Sequence, residues 1–214
     1  TMNLDYLRNN FDRVLDLTGE HLQLTALALA LALLVALPLG VIVATVRPLS
    51  LPILIALSLI YTIPSLALLA FLIPWLHLGK RPAIVVLALY AQLTLVRNIA
   101  AALRSADPAM LEAASGLGMT GWQRFWKVRF PLGLPILLAG VRIAIVTTIG
   151  LATVTAWINA GGLGTLLFDG IARDYPSEIL AGTIAITALS LLMDMALRLI
   201  ERATPTARAL RHAR

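Results

Sequence analysis

Asp107-Pro108-Ala109-Met110-Leu111-Glu112-Ala113-Ala114-Ser115-Gly116-Leu117-Gly118-Met119-Thr120-Gly121-Trp122-Gln123 forms the centre of a polar insert, 104–131, in a chain that is otherwise mostly apolar. Its local chemistry is that of two short helices. Asp107 before Pro108 suits an N-cap followed by proline at the first helical position, where the absent N–H would have no partner anyway. The pattern predicts a helix from Pro108 to about Leu117, and Gly118 can take the left-handed conformation that stops it. Thr120 and Gln123 have the spacing of a capping box and start a second helix. That helix carries Trp122, Phe125 and Trp126 beside Arg124, Lys127 and Arg129, the pattern of a helix lying at a membrane surface. Pro131 begins the return to apolar sequence.

What lies on either side decides the fold. The 214 residues are 59% hydrophobic and 13% charged, beyond the roughly half apolar usage of soluble domains. Five stretches, roughly Leu22–Val46, Pro52–Ile73, Pro82–Leu103, Leu132–Ala156 and Ile179–Ile200, approach the ~20 residues that span a bilayer as helix. An open sheet in lipid would leave backbone groups unpaired, and no period-two alternation suggests a barrel. The fold class is therefore all-α. It is expected to be a single polytopic membrane domain over 1–214, with a polar N-terminal segment 1–20, the insert 104–131 between spans three and four, and a basic tail 201–214. Residues 1–20 carry four acids and do not read as a signal peptide. Five helices can pack as a bundle but hardly surround a solute and seal both sides, so a second such subunit is expected.

Basic residues cluster at segment ends, which points to membrane topology and lipid and away from nucleic acid despite the net charge of +6. With the N-terminus outside, twelve of the 17 Lys and Arg fall inside, among them Arg47, Arg97, Arg104, Arg124, Lys127, Arg129, Arg142, Arg198 and Arg202. Arg8, Arg13, Lys80, Arg81 and Arg173 fall outside. The expected arrangement is N-terminus out, C-terminus in, with the insert in the cytoplasm. There are no cysteines, and His21, His77 and His212 are too scattered to suggest a metal site. No nucleophile–base pair, paired carboxylates or Gly-Lys-Ser/Thr phosphate loop is evident, so no enzyme is expected and no cofactor on this chain.

Several residues have two readings. Pro38, Pro64, Pro74 and Pro135 lie within the spans and either bend helices around a path or reflect irregular packing. Trp75 and Trp157 suit an interfacial aromatic belt. Tyr61 and Tyr90 either pack or offer ring faces to a passing cation. Arg142, about ten residues into span four, is either functional or snorkels to the inner face. Asp194 and Arg198 are placed to pair along one helix. Gly161-Gly162-Leu163-Gly164 follows a membrane helix, not a strand, so it is no dinucleotide fingerprint; it is a plain turn or a tight turn sealing the outer side.

Taken alone, the insert would be an ordinary cytoplasmic loop with two helical turns. Its spacing says more. Glu112-Ala113-Ala114, Gly118, Val128, Phe130 and Pro131 resemble the Glu-Ala-Ala loop of bacterial ABC-importer permeases, with Val128 where isoleucine and Phe130 where leucine are usual. Ile63-Pro64-Ser65-Leu66-Ala67, Lys80-Arg81-Pro82-Ala83, Ala139-Gly140-Val141-Arg142 and Asn159-Ala160-Gly161-Gly162-Leu163-Gly164 resemble the branch that imports osmoprotectants (glycine betaine, carnitine, choline). The resemblance covers about His21 to Ile200. It implies a fold like that of the methionine-importer permease, with five core helices, in a bacterial inner membrane. It implies that Glu112, Ala113, Ala114, Ser115 and Gly118 form the element coupled to the ATPase, with Tyr61, Pro64, Ser65, Tyr90, Arg142, Gly161, Gly162 and Gly164 as candidates for the pathway or its gate. The implied partners are a cytoplasmic ATPase dimer carrying ATP and Mg, a second permease subunit and an extracytoplasmic substrate-binding protein. The competing readings are a permease for an amino acid or phosphonate, a stand-alone channel or secondary carrier, and a membrane scaffold.

Overall fold

The computed structural model describes residues 5–203, and every regular element among them is helical. A single turn, α1 (Asp5–Asn9), leads into α2 (Phe11–Thr45), followed by α3 (Arg47–Thr62) and α4 (Ser65–Leu76). The chain continues through α5 (Lys80–Arg104), α6 (Pro108–Gly116) and α7 (Gly121–Arg124), and a π-helical turn over Phe125–Arg129 passes into α8 (Phe130–Thr155). A 3-10 turn at Ala156–Ile158 precedes α9 (Gly164–Ala172) and α10 (Pro176–Ala203). Four stretches, 11–45, 80–104, 121–158 and 176–202, are long and apolar enough to cross a bilayer; α3 with α4 makes a fifth if the bent pair is one span. Exposed leucines and valines line α2 and α10, among them Leu27, Leu34, Val41, Leu192 and Leu199.

Helix α5 is the hub, packed along α2 on one side and α8 on the other. Lipid tails are as apolar as leucine, so close backbone approach, not hydrophobic exclusion, must hold such helices together. The sequence supplies it with small residues. On α2, Ala28, Ala32, Ala36 and Gly40 recur every fourth residue and are buried. A Cβ on Gly40 would lie 2.5 Å from the Ile99 side chain. On α8, Gly133 lies against the α5 backbone, where a Cβ would meet the Ala102 carbonyl oxygen at 2.3 Å; at Gly140 a Cβ would meet Asn98 Cβ at 2.2 Å. Within this seam Gln92 donates to the Ala32 carbonyl at 3.0 Å, a polar stitch from α5 to α2.

One expectation needs correction. The second span, read as one apolar stretch over Pro52–Ile73, is two helices meeting at 93°. Pro64 has no N–H to continue the ladder, and it pushes Ile63 into extended backbone (φ −67°, ψ 130°). The expected polar N-terminal segment includes α1 and the start of α2. Helix α2 begins at Phe11 and keeps Val14, His21 and Leu24 buried while Asp12, Asp16 and Gln23 face outward. At 35 residues, α2 is about 52 Å long, so one end projects beyond a hydrocarbon core. The second helix of the insert has no break after it. It runs straight into α8, and the widened turn at 125–129, where Phe130 N–H donates to the Phe125 carbonyl, lies just before Pro131. Such π-turns relieve a ladder interrupted by proline. Part of the expected basic tail (Arg208, Arg211 and Arg214) lies outside the described residues.

Because the atom opposing Gly133 is backbone, no rotamer change relieves a larger side chain there. Gly133→Val is expected to destabilise the detergent-solubilised protein by about 1–3 kcal/mol or more. Gly19→Ala, whose Cβ would meet nothing within 4 Å, is expected to be neutral or stabilising by up to ~1 kcal/mol. Thermal unfolding of the two variants side by side checks the pair.

Candidate functional site

The insert is a rigid elbow built from local bonds. The Asp107 side chain accepts from Ala109 N–H at 2.9 Å, and Pro108 opens α6. Gly118 takes φ +77°. Its N–H reaches the Ser115 carbonyl at 2.9 Å, while Met119 N–H reaches the Ala114 carbonyl at 3.1 Å. That pair of bonds is the Schellman ending, which needs a left-handed residue where Gly118 stands. One residue later the capping box closes. Thr120 N–H donates to Gln123 Oε1 at 2.9 Å, and Gln123 N–H to Thr120 Oγ1 at 3.3 Å. Arg124 donates to the Ser115 hydroxyl across the bend, tying the two arms together. Trp126 meets Phe125 edge to face and Phe130 at a tilt, with ring centroids 5.1 and 5.0 Å away.

Of the five residues expected to face a partner, Glu112, Ala113, Ser115 and Gly118 are exposed, whereas Ala114 turns inward and is buried. Leu117, 78% exposed, stands at the tip of the elbow. Helix α6 packs chiefly on α7 and the π-turn that leads into α8. Behind the elbow lies a hollow of about 1080 Å³, lined by Thr45, Arg47, Ser50, Arg104, Phe125 and Arg129 among others. Arg104 donates to the Ala44 carbonyl at 3.1 Å and also to that of Val43, satisfying the free end of α2.

A second group forms where the second span breaks. Tyr90 donates to the Ile63 carbonyl, which the extended backbone at Ile63 turns out of the helical ladder, and the rings of Tyr61 and Tyr90 lie 5.6 Å apart at 49°. Pro64 and Ser65 are the pivot of that break, at the start of α4. Tyr61, Tyr90, Thr147, Thr148, Gly150 and Val154 line a hollow of about 430 Å³.

Arg142 is not among them. It faces α10, 3.6 Å from Asp194 and 3.2 Å from Glu201, and Asp194 also takes Arg198 at 2.6 Å as the spacing suggested. The charge in span four is thus met by carboxylates from another helix.

The glycine loop after α8 is locked from below by two side chains. Gly161 and Gly162 have φ +83° and +80°, and Asn159 has φ +61°. Glu20 accepts from Gly162 N–H at 3.0 Å. His21, fully buried, accepts from Leu163 N–H at Nδ1 (3.3 Å) and faces the Ile149 carbonyl with Nε2 at 3.0 Å. The ring must therefore carry its single proton on Nε2 and be neutral. A Cβ on Gly161 would lie 2.4 Å from Glu20 Oε2, and one on Gly164 2.1 Å from the Thr153 carbonyl oxygen.

These features agree with comparisons to known proteins. A family model described as binding-protein-dependent transport system inner membrane component matches residues 36–204. The chain belongs to that family. It is 37% identical, over 93% of its length and 92% of the relative's, to the glycine betaine/carnitine/choline transport system permease protein OpuCB of Bacillus subtilis (strain 168). It is 39% identical to the osmoprotectant import permease protein OsmW of Salmonella typhimurium, over 92% and 94% of the two chains. The inward-facing MetNI methionine ABC transporter shares the fold with TM-score 0.80 at 25% identity, covering 89% of this chain and 95% of the other. As in the sequence reading, this is an all-helical ABC permease.

The permease contains polar anchors that its sequence did not advertise. His21 looked like one of three scattered histidines; its position ahead of the buried Leu24, Ala28 and Ala32 was the available signal. Glu178, fully buried, is the other. It accepts from Tyr6 at 2.9 Å and lies 3.5 Å from Arg13 and 3.7 Å from Arg173, while Arg13 also pairs with Asp169 at 2.9 Å. Burial and the Glu178 carboxylate push the Tyr6 phenol up, so it stays protonated and donates at neutral pH. The cluster ties α1 and α2 to α9 and α10. His21→Phe keeps a flat ring but leaves Leu163 N–H without its partner and removes the second donor to the Ile149 carbonyl. A loss of about 1–3 kcal/mol is expected in thermal unfolding, and unchanged stability would remove His21 as the anchor of the loop.

Proposed function

We propose that this chain is the membrane-spanning subunit of an ATP-driven importer for quaternary-ammonium osmoprotectants such as glycine betaine, carnitine or choline. The names of its relatives support the solute class, and their match over nearly the whole chain supports carrying it over. The subunit itself is non-catalytic. ATP and Mg act on a pair of cytoplasmic ATPase subunits, a second permease (a copy or a paralogue) completes the pathway, and an extracytoplasmic binding protein delivers the solute. The N-terminus lies outside and the C-terminus inside, the orientation favoured by twelve of the 17 basic residues.

The observation that carries the reading is the elbow at 107–131. Its two arms are fixed to each other by the Schellman ending, the capping box and the Arg124–Ser115 bond, so it moves as one piece. Exposed Glu112 offers an anion to a basic residue of the ATPase, and Ala113 and Gly116 let a partner approach closely. ATP binding draws the two ATPase subunits together and with them the two elbows. Because the elbow is continuous with α8, its displacement is passed to the α5–α8 seam, and the pathway changes the side to which it opens. Hydrolysis and product release reset it.

Replacing Glu112 by lysine, or Gly118 by valine (strained by roughly 1–2 kcal/mol at positive φ), is expected to uncouple hydrolysis from solute uptake in reconstituted vesicles while the variants still fold and insert. Wild-type uptake by both variants would sink the assignment of the elbow.

A further inference from the structure

Arg97 lies in the inner half of the third apolar stretch, yet its side chain is exposed and meets no carboxylate among the described residues; its guanidinium donates to Ser58 Oγ at 3.2 Å. An unpaired arginine directed at lipid is costly, so intramembrane charges face a water-filled path or a partner group. The surroundings of Arg97 point to the path. On α5, Tyr90 lies seven residues earlier, two turns away on the same face. On α3, Ser58 lies three residues before Tyr61, about 4.5 Å along the axis. Arg97, Ser58, Leu59 and Thr62 line a groove of about 320 Å³, and Thr62 directly follows Tyr61 of the tyrosine hollow in the chain. No acidic residue lines either one. Across the hollow, Gly150 on α8 points toward open space, with nothing within 4 Å of a Cβ built there. Unlike Gly133 and Gly140, it marks no close helix approach among the described residues.

We propose that this face of α3, α5 and α8 is a transit site for a zwitterionic quaternary amine, with the ring faces of Tyr61 and Tyr90 receiving the methylated ammonium and Arg97 receiving the carboxylate. The proposal rests on the solute class proposed above and narrows it to carboxylated amines. The two tilted rings attract a cation through their negative faces. With no carboxylate to trap it, the ammonium is held only weakly, as a site on a transport path requires. The guanidinium is held at Ser58, one turn along α3 from Tyr61, a spacing on the scale of the few bonds separating the charges of a betaine. Its planar fork matches a carboxylate. It also repels an amine with no carboxylate, so the site disfavours choline relative to glycine betaine or carnitine.

The test uses the full complex of permease, ATPase and binding protein in proteoliposomes, with labelled glycine betaine and choline and with ATP hydrolysis measured in parallel. Arg97→Gln is expected to lower glycine betaine moved per ATP and to raise the choline to glycine betaine ratio about tenfold, the loss of roughly one charge-assisted contact. Arg97→Lys should fall between Arg97→Gln and wild type. Tyr61→Leu should lower both amines, and Tyr61→Phe, which keeps the ring, should lose less than Tyr61→Leu. Equal loss of both amines in Arg97→Gln, or unchanged glycine betaine per ATP, overturns the site while leaving the importer reading intact. Loss of permease pairing in Arg97→Lys places Arg97 at a subunit contact and also overturns it. If Arg97→Gln does not assemble, unchanged transport in Tyr61→Leu overturns the proposal. A wild-type complex that hydrolyses ATP under the control of its binding protein but moves neither amine overturns the solute class, and the site with it.

Discussion

The close approach of α2 and α8 to α5 is the constraint on which the rest depends. In lipid there is little free energy to gain by hiding one leucine from another, so a bundle of apolar helices has a defined arrangement only where its backbones can touch. Ala28, Ala32, Ala36 and Gly40 on one side, and Gly133 and Gly140 on the other, allow that contact. A Cβ at Gly133 would collide with a main-chain carbonyl, so helix separation there is fixed by backbone and not by side-chain adjustment. Such an interface has few intermediate states. That suits the proposed role of the elbow, in which α8 moves as a unit.

The elbow and the far end of the molecule are made rigid by different means. In the elbow the bonds are local: a glycine ending, a reciprocal cap and an arginine reaching back nine residues. At the other end the bonds are long-range and polar. Glu20 and His21 reach across 142 residues to the loop after α8, and Tyr6 reaches across 172 to Glu178. The buried Glu178 is tolerated because Tyr6, Arg13 and Arg173 surround it; a lone carboxylate in that place would be strongly destabilising. Between these two stiff ends lies the break at Pro64, where the Ile63 carbonyl is rescued by a tyrosine and not by its own helix.

Much of this was legible in the residues themselves. Asp107-Pro108, Gly118 and the Thr120–Gln123 pair each act within one turn of chain, so their roles followed from spacing. Span placement was legible too, because lipid allows only helix. Three things were not. The right angle at Ile63-Pro64 was hidden because proline occurs in spans with either outcome: Pro38 and Pro135 sit inside helices that continue, whereas Pro64 ends one. The fusion of the elbow with α8 was hidden because a π-turn leaves no pattern of its own. His21 and Glu178 were hidden because their partners are a backbone carbonyl and distant side chains.

The sequence by itself determined that the chain is helical, that it spans a membrane, and that a capped, glycine-hinged elbow interrupts it, since each depends on solvent and near-neighbour chemistry alone. Only the tertiary structure decided which small residues are contacts and which leave space, which arginine is matched by carboxylates and which faces an open groove. Those properties belong to pairs of residues far apart in the chain, and only packed helices bring them together.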